Sequence, residues 1–285
     1  MQEDVRKLSR GMRAVGVIGA VLVLFAGTQL FVLSDHTERL FAWTLPGLSA
    51  AFIGSFYWAG LVLIVAVWRH GTWAAARPGM LAVIAFTALT LVATLLHLGL
   101  FHLHAPHTET VVATWAWIVV YAVVPVLLFV VWRLQLRGSG VDPPRTEPLP
   151  RWLRAVLLPE GVLLLAVALA LFVAPGWADG WWPWPMTPLA GRVIGAWLVA
   201  IGGLLLGIAR ENDWDRVRPS FVSYFSLGVL WAISVARYAN DVKWGSFSAW
   251  VLVAAIALAI GLGGYGIWAW NPRSAAEGRP SVAAA

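Results

Sequence analysis

Residues 68–78 read WRHGTWAAARP and residues 209–219 read ARENDWDRVRP. Laid over one another without a gap, Arg69 meets Arg210, Trp73 meets Trp214, Arg77 meets Arg218 and Pro78 meets Pro219, an offset of 141 residues. The same offset matches Arg10 with Arg151, Arg13 with Arg154, Leu30 with Leu171, Phe31 with Phe172, Val32 with Val173, Trp43 with Trp184, Ile53 with Ile194 and Gly54 with Gly195. Matches of Leu or Val weigh little in so apolar a chain. The Trp, Arg and Pro matches weigh most, because they fall in loops as well as in apolar runs.

The 285 residues are 60% hydrophobic and 12% charged, with a mean hydropathy of +0.77, which exceeds what a soluble domain carries. A hydrocarbon core about 30 Å thick takes roughly 20 apolar residues per helix. Eight stretches of that length run from Arg13 to Leu33, Leu48 to Trp68, Pro78 to Phe101, Val111 to Trp132, Leu153 to Ala174, Pro188 to Ala209, Pro219 to Ala239 and Phe247 to Trp268. They lack the alternation of barrel strands, and lipid leaves no partner for unpaired backbone groups, so helices are expected. The fold expected is an all-α integral membrane protein of about eight transmembrane helices, built as two parallel four-helix repeats. The repeats are placed at 1–137 and 151–272, with a Gly- and Pro-rich linker at 138–150 and a disordered tail at 273–285.

Orientation is read from the cations. Arg6, Lys7, Arg10, Arg69, Arg77, Arg133, Arg137, Arg145, Arg210, Arg218, Arg273 and Arg279 fall on one side, which the positive-inside rule makes cytoplasmic. Both termini are then inside, in a bacterial-type plasma membrane. The first apolar run is long enough to span and no small-residue cleavage site follows it, so it reads as a retained helix. The net charge of +6 is accounted for by this bias and by anionic headgroups, which excludes nucleic acid and leaves membrane lipids as the expected partners. The absence of cysteine excludes disulfides and thiol chemistry.

The paired loops are expected to be scaffold: Arg69 and Arg210 end a helix, Trp73 and Trp214 anchor the interface, and Pro78 and Pro219 sit in the first turn of the next helix. A paired anion site for lipid phosphates is the functional alternative. Of 19 tryptophans, Trp43, Trp181, Trp182, Trp184 and Trp244 are expected in an outer aromatic belt. Gly203 and Gly207 make a G-x-x-x-G suited to close helix contact with a neighbour or another subunit. Gly261, Gly263 and Gly266 spell G-x-G-x-x-G, but no strand precedes them, so they read as packing glycines rather than a dinucleotide loop.

Chemistry has two candidate locations, both at the outer end. His97, His102, His104 and His107 form a histidine-rich tract that could ligate a divalent metal, though a five-residue step from His97 to His102 puts them on different helical faces. Gln29, His97, Arg192 and Arg237 are polar groups in the outer halves of spans, where such groups face an interior or a cavity. Asp179 is the expected partner of Arg192 and Asp241 that of Arg237. No other cofactor is expected, and the known catalytic motifs are missing, so no catalytic residue is named. The expected function is binding, extending to transport, of a lipophilic or amphipathic ligand through an outward-facing cavity between the two halves, contacted by Gln29, His97, Arg192 and Arg237. Two alternatives are a structural or assembly subunit of a membrane complex, homo-oligomeric or with other partners, and a membrane-embedded metal enzyme using the histidines.

Overall fold

A computed structural model describes residues 4–269, and within them the chain is helical, with only two isolated β-bridges. Eight helices are long and apolar enough to cross a membrane. They are α1 (Arg10–Gly27, prolonged by a π-helical turn over Thr28–Val32), α2 (Gly47–His70), α3 (Trp73–Leu96), α4 (Thr108–Leu136), α5 (Arg151–Val173), α6 (Pro188–Glu211), α7 (Trp214–Arg237) and α8 (Phe247–Trp268). The tail placed at 273–285 lies outside the described residues.

Local chemistry sets these boundaries. Ser9, Thr187, Asp213 and Ser246 cap α1, α6, α7 and α8, each side chain accepting a hydrogen bond from a backbone N–H three residues on. α2 ends on Gly71 at φ 79° and α6 ends on Asn212 at φ 48°, both left-handed, which a Gly or an Asn tolerates best. Those two residues stand 141 apart, as do the starts of α2 and α6 and of α3 and α7. Trp73 N donates to Arg6 O, and Trp214 N donates to Glu147 O at the same offset. Pro78 and Pro219 correct one expectation: each lies inside its helix rather than in the first turn, because α3 and α7 begin five residues earlier at Trp73 and Trp214.

Packing is exchanged between the halves. α2 runs along α7, and α3 along α6, so the second long helix of each half lies against the third of the other. Glycines permit these approaches. A Cβ on Gly203 would lie 2.5 Å from Ala82 Cβ, and one on Gly207 would lie 2.0 Å from Pro78 O, so the G-x-x-x-G of α6 seats α3. Within each half a matched glycine seats the first helix on the second. Gly54 meets the backbone of Leu30 and Phe31, while Gly195 meets Leu171 and Phe172.

The centre of the molecule is a core of aromatic rings. Phe56 stacks on Trp197 and Phe52 on Trp231, and Phe86 also packs against Trp197. Trp43, Trp182 and Trp184 belong to this core and are buried, which corrects their expected place in an interfacial belt. Their short segments turn inward because the rings find aromatic partners there: Trp43 packs on Phe41, Phe101 and Trp117, and Trp184 on Phe52, with its Nε1 donating to Ser49 Oγ at 3.0 Å.

Candidate functional site

The halves differ in how their outer helices close. In the second half α8 lies tight on α7, because Gly263 and Gly266 meet Phe225 and Phe221, and Gly228 meets Ala259 and Ile260. The residues 141 earlier are Ala122, Pro125 and Thr87, none of them a glycine. Likewise Gly161 and Gly202 bring α5 onto α6, where the first half has Ala20 and Leu61. The matching helices of the first half pack less closely.

The result is a cavity of about 600 Å³ bounded by α1, α2, α3 and α4, with Trp197 of α6 and Ser220 of α7 in its lining. It extends from Arg13 at one end to Gln29 and Glu109 at the other, and its lining is overwhelmingly apolar. α1 and α4 meet where Gly11 faces Val131, in a small cluster with Leu8, Met12 and Leu128. The expected cavity between the halves is not where the structure puts its large void, since that central space is filled by the stacked rings.

Polar groups of Tyr57, Tyr121, Trp197 and Ser220 interrupt the apolar lining. Tyr57 and Tyr121 are buried, and their hydroxyls lie 2.6 Å apart. Trp197 sits edge-on to Tyr57, ring centroids 4.9 Å apart, and its Nε1 completes no hydrogen bond. Ser220 Oγ is also buried without a partner.

Of the residues singled out from sequence, the structure brings His97 and Arg192 together and leaves Gln29 and Arg237 with other partners. Gln29 lines the groove and donates to Leu40 O at 2.7 Å. His97, at the end of α3, meets Arg192 of α6 at 2.6 Å between Nε2 and Nη1. A guanidinium can only donate, so His97 accepts at Nε2 and is neutral. Withdrawal from water, and then the facing guanidinium, hold its pKa below the ordinary value of 6.5. Arg237 donates to Phe31 O and, at 3.0 Å, to Ser34 Oγ. Beside it Tyr238 donates to Asp35 at 2.6 Å, and burial followed by that carboxylate raises the phenol's pKa.

Neither acidic partner expected for these arginines forms an ion pair with its arginine among the described residues. Asp179 accepts from Met186 N, while Arg237 reaches across to the loop after α1 rather than along its own chain to Asp241. His102 bonds Phe41 O and Thr44, and His104 and His107 are exposed. Among the described residues no group of three or more His, Asp or Glu is placed to hold a metal ion.

Two polar sites escaped the sequence reading. Glu211 is buried at the arginine-rich end and gathers Arg77 at 2.7 Å through both oxygens and Arg216 at 3.0 Å, with Arg145 at 3.6 Å. Arg77 also pairs with Asp142, so in place of an open anion site that arginine faces two carboxylates of its own chain. Glu160 lies in the interior of α5, which begins at Arg151. Its carboxylate accepts from Tyr224, and Oε2 is buried without a partner. A helix seam of Tyr facing Glu, 64 residues apart, has no local sequence signal.

No family model, no curated protein and no solved structure matches this chain.

Proposed function

We propose that this chain is a multi-pass membrane protein, with its arginine-rich loops on the cytoplasmic side, that binds a lipophilic or amphipathic ligand in the groove of its first half. The groove carries this reading. About 600 Å³ of nearly apolar space between helices of membrane-spanning length matches the size and lining of a small-molecule site. Its extent from Arg13 to Gln29 and Glu109 fits a ligand lying along the span, with a charged or amide group near each end. Two parallel repeats are the architecture proposed, supported by the equal offsets of helix starts, left-handed caps and glycine contacts.

The test fills the groove. A Cβ on Gly60 would meet only Trp197 Cη2, at an ordinary 3.9 Å, so Gly60→Leu projects a side chain into the space without displacing backbone. Chain extracted in mild detergent is expected to retain a stoichiometric lipophilic molecule by mass spectrometry, and Gly60→Leu to release it. Retention unchanged in a folded Gly60→Leu protein overturns the groove as the binding site.

A further inference from the structure

We infer that the ligand of this groove presents a ring carbonyl, of the ketone or quinone type, to the hydroxyl pair of Tyr57 and Tyr121 beside Trp197. The inference rests on the groove reading and names the class of molecule it takes.

Hydrogens outnumber acceptors at this pair. Two hydroxyl oxygens 2.6 Å apart share one hydrogen, so one phenol donates and the other accepts. The accepting phenol keeps its own hydrogen, and none of the described hydrogen bonds takes it up. Trp197 Nε1 brings another hydrogen to the same place, directed at the Tyr57 hydroxyl without completing a well-formed hydrogen bond. Tyr57 is 3% exposed, Tyr121 4% and Trp197 7%, so bulk water is not the acceptor. Buried donors left unmet are costly and uncommon in native proteins. The group is therefore short of an acceptor and oversupplied with donors.

An oxygen that only accepts fits this deficit. A ketone or quinone carbonyl supplies two lone pairs and no hydrogen, whereas an alcohol or amide would add a further donor to a site already in excess. Depth narrows the class further. Tyr57, Tyr121 and Trp197 lie near the middle of α2, α4 and α6, far from the water interface at which the ester oxygens of bilayer lipids reside. The rings of Phe86, Trp117 and Trp197 line the same stretch, and flat faces suit a flat, conjugated head. The rest of the groove has the apolar length to take a hydrocarbon tail.

The experiment compares two molecules of one shape. Labelled decylbenzoquinone and decylbenzene are equilibrated with the full chain in nanodiscs, and retention above empty nanodiscs is measured. The quinone is expected to bind about three- to tenfold more tightly, the scale of one or two recovered hydrogen bonds. The double variant Tyr57→Phe, Tyr121→Phe should reduce quinone binding toward that of the hydrocarbon and leave the hydrocarbon unaffected. Gly60→Leu should weaken both. Equal binding of the two molecules by the unmodified chain, both weakened by Gly60→Leu, overturns the carbonyl inference and leaves the groove intact. Retention of neither molecule above the empty nanodiscs overturns both readings. The comparison on the unmodified chain decides the matter even where the double variant does not fold.

Discussion

Phe56 and Trp197 stand 141 positions apart in the chain and face one another in the core, ring centroids 5.3 Å apart and planes 6° from parallel. Each occupies the tenth position of its helix, α2 or α6. Equivalent positions of α2 and α6 therefore meet face to face within the aromatic core. The same contact closes the space between the halves and directs any sizeable void to one side.

The crossing of α6 over α3 depends on a missing side chain. Gly207→Ala would drive a Cβ into Pro78 O, while Gly261→Ala on α8 would meet nothing within 4 Å. Thermal unfolding in detergent is expected to show Gly207→Ala destabilised by about 1–3 kcal/mol and Gly261→Ala within about 0.5 kcal/mol of the parent. Equal melting of the two variants would contradict the α3–α6 contact.

Glu211 is the acidic centre of a buried charge cluster, with its side chain and that of Arg216 each only 5% exposed. Glu211→Gln leaves Arg216 buried without its charge partner, a loss expected to cost about 3–5 kcal/mol. Adding Arg216→Met should recover part of it, since the uncompensated charge is then gone. A double variant as unstable as the sum of the two single variants would show that the pair is not coupled.

Acid should loosen the contact of His97 with Arg192. The folded state holds the imidazole pKa below its ordinary 6.5, so between the two values the unfolded chain binds more protons. Stability therefore rises with pH through that window, and is lost as pH falls through 6.5 toward the folded value. His97→Gln keeps an acceptor for Arg192 and cannot titrate. Melting temperatures taken from about pH 7.5 to about pH 5 should fall more for the parent than for His97→Gln, and parallel curves would remove His97 as the cause.

Orientation can be read directly because the chain has no cysteine. Gly138→Cys, after α4, and Gly245→Cys, before α8, lie at opposite ends of the bundle. In intact cells an impermeant maleimide is expected to label Gly245→Cys at once and Gly138→Cys only after permeabilisation. The reverse pattern would invert the topology proposed from the arginines.

Eight helices were legible in the sequence, each within a few residues, because a long apolar run records helix-forming and membrane-compatible chemistry locally. The error at Pro78 and Pro219 shows the limit. Proline is at home in a first turn, but Trp73 and Trp214 open those helices, and for α7 the cap is the side chain of Asp213. Charge partners were misjudged where sequence proximity stood in for space. Arg237 bonds Ser34, 203 positions away, in preference to Asp241 four positions on. Trp43 and Trp184 looked interfacial because hydropathy does not register that several aromatic rings converge on them.

Sequence by itself determined the composition, the helix count, the 141-residue offset and the positions where glycine replaces a side chain. Tertiary structure alone decided that α2 lies on α7 and α3 on α6, that aromatic rings fill the centre, and that the void opens beside Tyr57 and Tyr121. The physical reason is range. Helix formation follows from neighbours a few residues away, whereas a groove exists where two distant surfaces fail to close. Where Gly228, Gly263 and Gly266 bring α7 and α8 together, the positions 141 earlier hold Thr87, Ala122 and Pro125, and the first half packs less closely.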